Sequence, residues 1–266
     1  MRLIFLGTGP ALAIPRLGHR DPLCREARRG GRSRRTRSAA VLETPEATIL
    51  IDAGPDIRSQ LRRQRIRCLD LVVLTHGHSD AVAGLRDLSR WLSARTPHGI
   101  VPVFTDVMTQ RRLKTRFPKL PGLEIIAVKP YSRIRIGRLM VRPFRVRHSL
   151  TPGFPTSGYV FNRRLAYASD AVDLPPRSRR LLRGVKTLVF DGAMYLRKPA
   201  SMHSSADASI RLAHTLRARH LILTQIGHSY PPLALALHNI KQYHKNLRVA
   251  LPKTVKLAWD GLRLRV

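Results

Sequence analysis

Short apolar runs recur along the chain, most of them closed by a polar or glycine-bearing turn. Arg2 to Leu6 reads as a strand running into Gly7-Thr8-Gly9, a turn that lets a neighbouring backbone or a substrate come close. Ser38 to Glu43 and Ala47 to Ile51 read as a hairpin around Thr44-Pro45-Glu46, and Ile57 to Arg65 has the composition of a helix. Leu69 to Leu74 is a buried strand by its apolar content. Val82, Leu85, Leu88, Trp91 and Leu92 then follow at helical spacing. Further strands are predicted at Val101 to Phe104, Leu123 to Val128 and Leu139 to Val146, with a helix over Asp106 to Phe117. Tyr159 to Phe161 and Leu165 to Ala168 form another hairpin, and Thr187 to Phe190 and Leu221 to Leu223 are strands. Ser204 to Arg217 is a helix with Ile210, Leu212, Ala213 and Leu216 inward; Leu233 to Tyr243 is a last helix before two short strands. No repeat and no long linker divides the chain, so residues 1–266 read as one α/β domain.

Composition changes this picture in one respect. At 43% hydrophobic residues the chain has enough apolar material for a core. Its charge, however, is +33, from 49 Lys+Arg against 16 Asp+Glu. Such a charge attracts polyanions whatever their sequence, which predicts non-specific nucleic-acid binding that weakens with salt. The arginines are spread along the chain, so a generally basic composition explains the charge equally well. Aromatics are only 6%, too few to argue for a base-stacking platform. The segment Pro15 to Arg37 carries nine arginines and reads as a surface loop, because so much like charge is costly to bury. Cys24 and Cys68 cannot build a disulfide framework, and Cys68 reads as buried filler. Met1 to Ile14 is broken by Gly7, Gly9 and Pro10 and lacks the core of a secretory signal, and no run reaches membrane-spanning length. No membrane partner is expected, and the cytoplasm is the simplest location. The oligomeric state is open, a homodimer included.

The candidate chemistry centres on Thr75-His76-Gly77-His78-Ser79-Asp80, directly after the Leu69 to Leu74 strand. Along extended backbone alternate side chains share a direction, so His76, His78 and Asp80 can converge. Two imidazoles and a carboxylate suit Zn²⁺, Mn²⁺ or Fe. Gly77 is expected to let the backbone turn tightly between the histidines. His148 and Asp170 also stand where strands end, and loop residues at strand ends gather into one site in α/β proteins. Asp52 can orient a metal-bound histidine from behind, and Asp56 can cap the helix that follows it.

The 76–80 stretch resembles the His-x-His-x-Asp-His signature of the metallo-β-lactamase superfamily, with Ala81 in place of the last histidine. Leu50 to Arg58, Ser33 to Glu43, Met202-His203-Ser204-Ser205 and Leu223 to His228 further resemble its cyclic-phosphodiesterase branch, the accessory enzyme of phosphonate breakdown. The resemblance implies a four-layer αββα sandwich and a metal-dependent hydrolase acting on a small or cyclic phosphodiester. It implies one metal, Zn or Mn, on His76, His78, His148 and Asp170. A second metal would need Asp80, Ala81, Gln225 and the shared Asp170; Ala81 offers no donor and Gln225 only a neutral amide, which leaves at most a weak second site on Asp80 and Gln225. Asp80 is implied to orient the attacking water or act as base, and His203 to protonate the leaving oxygen. The branch also often carries a structural zinc, whose ligands would here be His19, Asp21, Cys24 and His228; polar loop residues plus one spare thiol explain those four equally well. Two rival readings stand beside the phosphodiesterase: an inactive or weak relative that binds polyanions such as nucleic acid, and a hydrolase of another ester or thioester.

Overall fold

The computed structural model describes residues 1–94, 99–148, 154–196, 202–246 and 252–266. The first half of the chain folds as β1 (Arg2–Gly7), α1 (Pro22–Arg28), β2 (Ala39–Glu43), β3 (Thr48–Ile51), α2 (Ile57–Gln64), β4 (Leu71–Val73), α3 (Ser79–Val82), α4 (Leu85–Ser93), β5 (Val101–Thr105), α5 (Val107–Arg116) and β6 (Leu123–Ala127). The second half continues with β7 (Ile134–Ile136), β8 (Leu139–Val146), β9 (Thr156–Phe161), β10 (Leu165–Ala168), α6 (Pro176–Leu182), β11 (Thr187–Asp191), α7 (Ala206–Thr215), β12 (His220–Thr224), α8 (Leu233–Asn246), β13 (Thr254–Leu257) and β14 (Arg263–Arg265). One seven-stranded sheet has the order β14-β1-β2-β3-β4-β5-β6 and the other β13-β12-β11-β10-β9-β8-β7. Each sheet joins an antiparallel part to a parallel one, with β3 to β6 and β10 to β13 parallel.

Three apolar clusters make the layers. Phe5, Ile51, Val73, Tyr159, Tyr167 and Val189 lie between the two sheets. Leu50, Val72, Leu61, Leu85 and Leu113 pack the outer face of the first sheet under α2, α4 and α5. Phe190, Leu221, Ile210 and Ile240 do the same for the second sheet under α7 and α8. Strands covered on both faces lose the in-out alternation of a half-exposed strand, which is why β9 and β11 are buried at every position, with polar residues only at their ends. The result is the four-layer αββα sandwich.

The structure departs from the sequence reading at several places. Residues 15–37 are not all surface loop: Asp21 accepts the Cys24 N–H at 3.0 Å and starts α1, which buries Leu23, Cys24 and Ala27. Arg35 is only 2% exposed; its guanidinium donates to Thr8 Oγ1 at 2.7 Å and to the Ala258 carbonyl. A buried guanidinium is tolerated because it is hydrogen-bonded and lies near the Asp260 carboxylate, although burial still lowers its pKa to about 10. Cys68 is exposed, on the connection between α2 and β4. The helix after Asp80 is two pieces, α3 and α4, interrupted at Ala83-Gly84, where a side chain on residue 84 would come within 2.1 Å of the Gly54 carbonyl. Gly7 and Gly9 admit the chain's own 35–37 segment, not a substrate: a Cβ on Gly7 would sit 1.9 Å from the Arg37 carbonyl. Asp56 stands at the N-cap position of α2, but its carboxylate makes no capping bond and instead accepts the Arg37 N–H at 3.0 Å. Among the described residues no helix is long and apolar enough to cross a membrane.

Candidate active site

The site forms at one edge of the sandwich, where β4, β8, β10, β11 and β12 end. The loop after β4 is held from both sheets. Asp52 accepts the Thr75 N–H at 2.7 Å and the Thr75 hydroxyl at 2.8 Å, while the Thr75 carbonyl accepts from Ser157 N–H at 2.7 Å. Tyr159 on the opposite sheet donates its hydroxyl to the Leu74 carbonyl at 3.0 Å. The Asp52-Ala53-Gly54 turn packs directly on the loop, since Ala53 N–H donates to the Ala81 carbonyl at 2.7 Å. Only glycine fits at position 54, where a Cβ would lie 2.0 Å from the Asp80 carbonyl.

His76 Nδ1 lies 2.9 Å from Thr75 Oγ1. Because the Thr75 hydroxyl donates to Asp52, its oxygen accepts from Nδ1–H, which leaves Nε2 of His76 as a bare acceptor. Asp52 thus acts on His76 through Thr75. His76 Nε2 is buried and has no hydrogen-bond partner. It points at Asp80 Oδ1, 3.9 Å away, and Asp170 Oδ1, 4.0 Å away. Burial lowers the His76 pKa to about 4, so its imidazole is neutral at ordinary pH. His148 is set in the same sense: Nδ1 is 2.7 Å from the Met202 carbonyl, and Nε2 faces Asp170 Oδ1 at 3.9 Å. His78 stands at the start of α3, half-buried, with ring centroids 4.7 Å from His76 and 5.4 Å from His148. Burial resists ionisation of Asp170, but His76, His148, His203 and the Ser169 hydroxyl hold its pKa below the ordinary value. The three imidazoles have mutually close nitrogens, and His76, Asp80 and Asp170 form a second such group. The spacings of 3.9 and 4.0 Å are just under twice a ~2.1 Å metal–ligand bond, so one ion can reach these donors together. A buried, partnerless imidazole nitrogen facing carboxylates at that spacing fits a metal site.

The positions left for a second ion are poorer. The Ala81 side chain is buried in the apolar cluster beneath α2 and α4. Gln225 donates its amide nitrogen to Asp170 Oδ1 at 2.7 Å, while its oxygen accepts from Ser38 at 2.9 Å. The amide therefore meets the carboxylate as a donor. Asp80 remains, its pKa raised to about 6 by burial and by the charge of Asp170.

His203 precedes Ser205, which caps α7 through the Ala208 N–H. Its Nδ1 is 2.6 Å from Asp191 Oδ2. Burial alone would lower the His203 pKa, but the Asp191 hydrogen bond and charge outweigh it and raise it to about 9. Asp191 itself is fully buried and raised to about 6, and it is held by the N–H groups of Ala171 and Ala193. Between those values the pair is an imidazolium on a carboxylate, and His203 groups with His148 and Asp170. Three contributors were not singled out from the sequence. Asp191 ends β11 as Asp170 follows β10, and that parallel was its only signal. Phe154 packs at 4.7 Å on His78, and Arg112 lies 3.8 Å above the Phe154 ring. Gly77, by contrast, is not needed for a tight turn: an added Cβ would meet Thr109 at ordinary contact distances of 3.4–3.9 Å.

Of the four residues read as structural-zinc candidates, His19, Asp21 and His228 place their donor atoms close together, and Cys24 adjoins His228. Cys24 Sγ is 3.2 Å and Asp21 Oδ2 2.9 Å from His228 Nε2, and His19 Nδ1 is 3.9 Å from Asp21 Oδ2. This cluster ties the α1 turn to the loop that carries Gln225.

Residues 47–226 match the β-lactamase superfamily domain, more than half of the chain. The chain belongs to the metallo-β-lactamase superfamily, a family of metal-dependent hydrolases. It is similar over its whole length to a diphosphatase of the PhnP family, with 29% identity, a TM-score of 0.83, and coverage of 100% of this chain and 97% of the other. It is 29% identical to an octanoyltransferase of Porphyromonas gingivalis over 98% of this chain and 51% of the relative, so the chain spans about half the length of that protein. The fold is also that of Zn²⁺-bound PqqB from Methylobacterium extorquens, at 18% identity and a TM-score of 0.78, with 100% of each chain covered.

Proposed function

We propose that the chain hydrolyses a phosphodiester, a small or cyclic one, with one firmly held divalent metal. The observation that carries this reading is the grouping of the His76, His78 and His148 imidazoles, with Asp170 Oδ1 4.0 Å from the partnerless, buried Nε2 of His76 and 3.9 Å from His148. A Zn²⁺ or Mn²⁺ ion on these four residues would lower the pKa of a bound water and polarise a phosphoryl oxygen. Asp80 orients the attacking water and takes its proton. His203, fixed by Asp191, gives its Nε2 proton to the departing alcohol. Arg112 supplies positive charge beside the phosphoryl group, in part replacing what a second metal would contribute. Gln225 holds Asp170 by its amide hydrogen bond, which leaves Asp80 and the shared Asp170 as the donors of a weak second position.

The cluster of His19, Asp21, Cys24 and His228 is proposed as a separate structural zinc site, because a thiol, two imidazoles and a carboxylate are a complete tetrahedral set. Cys24→Ala is expected to remove that zinc and lower the thermal midpoint by several degrees; metal analysis and a melting curve check both. An unchanged metal content would return the cluster to ordinary hydrogen bonding.

The octanoyltransferase relative favours a second reading, hydrolysis of an acyl ester or thioester at the same site. The +33 charge favours a third, a polyanion-binding protein of little or no activity. A chromogenic phosphodiester assayed with added Zn²⁺ or Mn²⁺ separates them. Metal-dependent turnover is expected. Thioester cleavage without diester cleavage would replace the proposal with the second reading, and salt-sensitive nucleic-acid binding without turnover would replace it with the third.

A further inference from the structure

A cavity of about 1050 Å³ opens directly beside the metal quartet, with His148 forming part of its wall. It is far larger than a small cyclic phosphate requires. Its wall is largely apolar, with Met108, Val128, Val146, Phe154, Val172 and Pro175 drawn from five separate parts of the chain. Phe154 belongs to both places, since the same ring packs on His78. Exposed basic side chains, Lys129, Arg145 and Arg147, stand with these apolar groups. Two acidic groups line it as well: Asp106, whose carboxylate is taken up in capping α5 through the Met108 and Thr109 N–H groups, and Asp173, which Arg179 engages at 2.5 Å and Arg147 approaches at 4.0 Å. Apolar surface left open beside a catalytic centre marks the place of an apolar ligand group, and basic neighbours suit an anionic head.

We infer that the substrate is amphiphilic: a phosphodiester head at the metal quartet with one apolar arm, alkyl or aromatic, lying in this cavity. The inference rests on the phosphodiesterase reading and narrows it. An extended chain of polar nucleotides would leave the wall unsatisfied, whereas an apolar arm covers it. In the reaction the water oxygen bonds to phosphorus, one P–O bond breaks, and the departing alcohol takes a proton. The arm contributes through burial alone, so its effect should grow with apolar area.

The test uses the metal-loaded protein and a series of p-nitrophenyl alkyl phosphates, from methyl to octyl, which share one leaving group. kcat/KM is expected to rise roughly three- to fourfold per methylene until the chain fills the cavity. Val128→Asp and, independently, Met108→Glu should flatten that rise while leaving the methyl ester unchanged, which also shows that each variant is folded. Turnover that does not depend on chain length would overturn the inference and leave the phosphodiesterase reading standing. Calorimetric binding of octyl phosphate against methyl phosphate gives a readout that does not need turnover. Tighter binding of the octyl compound, lost in Val128→Asp, supports the apolar arm even if no diester is cleaved, a result that would sink only the hydrolysis reading. Equal binding of the two phosphates overturns the inference.

Discussion

Replacing His76 by alanine is expected to reduce turnover by about 10³-fold or more and to release the active-site metal. The ring is the centre of the site: its Nδ1 is engaged by Thr75, and its Nε2 is buried with no other partner. Alanine removes a donor that the surrounding residues cannot supply, because Ala81 has none and the Gln225 amide reaches Asp170 through its nitrogen. The loss should be local. Thr75 remains tied to Asp52 and Ser157, so the loop keeps its path and the thermal midpoint should change little. Gly77→Ala is the matching control. It lies next in the chain, its added methyl meets Thr109 at ordinary contact distance, and it should keep both metal and activity. Metal analysis and diester turnover on the two variants decide the matter. A His76→Ala protein that keeps its metal and half its activity would place the chemistry elsewhere.

His203→Ala should retain the metal and still lose about 10²- to 10⁴-fold in kcat, the range typical of removing a general acid. The leaving group gives a sharper signature. A p-nitrophenolate departs without needing a proton, whereas an alkoxide requires one. The variant should therefore be impaired far more on a diester with a poor leaving group than on the chromogenic one. Asp191→Asn should follow the same pattern, because it removes the carboxylate that orients His203 at 2.6 Å and keeps it protonated. Equal impairment on both kinds of ester would assign His203 to metal binding or to structure instead.

The strand ends were legible in the sequence because each buried run stops at a polar residue that has no place in a core. That logic marked His76, His78 and Asp80 and placed His148 and Asp170 at strand ends; the resemblance to the superfamily singled those two out, and the fold brings these residues to one place. It did not reach Asp191, whose meaning depends on His203, twelve residues on, folding back to it. It could not reach Arg112 or Phe154, which join the site through stacking across separate elements. Arginine density misled in one place: residues 15–37 read as solvated, yet Arg35 is enclosed and α1 has a buried face. Charge content argues about the average side chain, while a single guanidinium can be buried wherever carbonyl and hydroxyl oxygens meet it. Gln225 shows the same limit at finer scale. Its position was legible, but which end of the amide faces Asp170 depends on Ser38, a residue remote in the sequence.

The central claim is one firmly held metal at this site that turns over a diester. It is tested most directly by adding Zn²⁺ or Mn²⁺ stepwise to metal-free protein and following chromogenic diester cleavage, beside the same titration of a His76→Ala, His148→Ala variant. Subtracting the variant cancels metal taken by the Cys24 cluster or by the surface. Activity should rise in proportion to that difference and saturate when it reaches one ion per chain. Saturation only at two ions per chain, or full occupancy without cleavage of any diester, would contradict it.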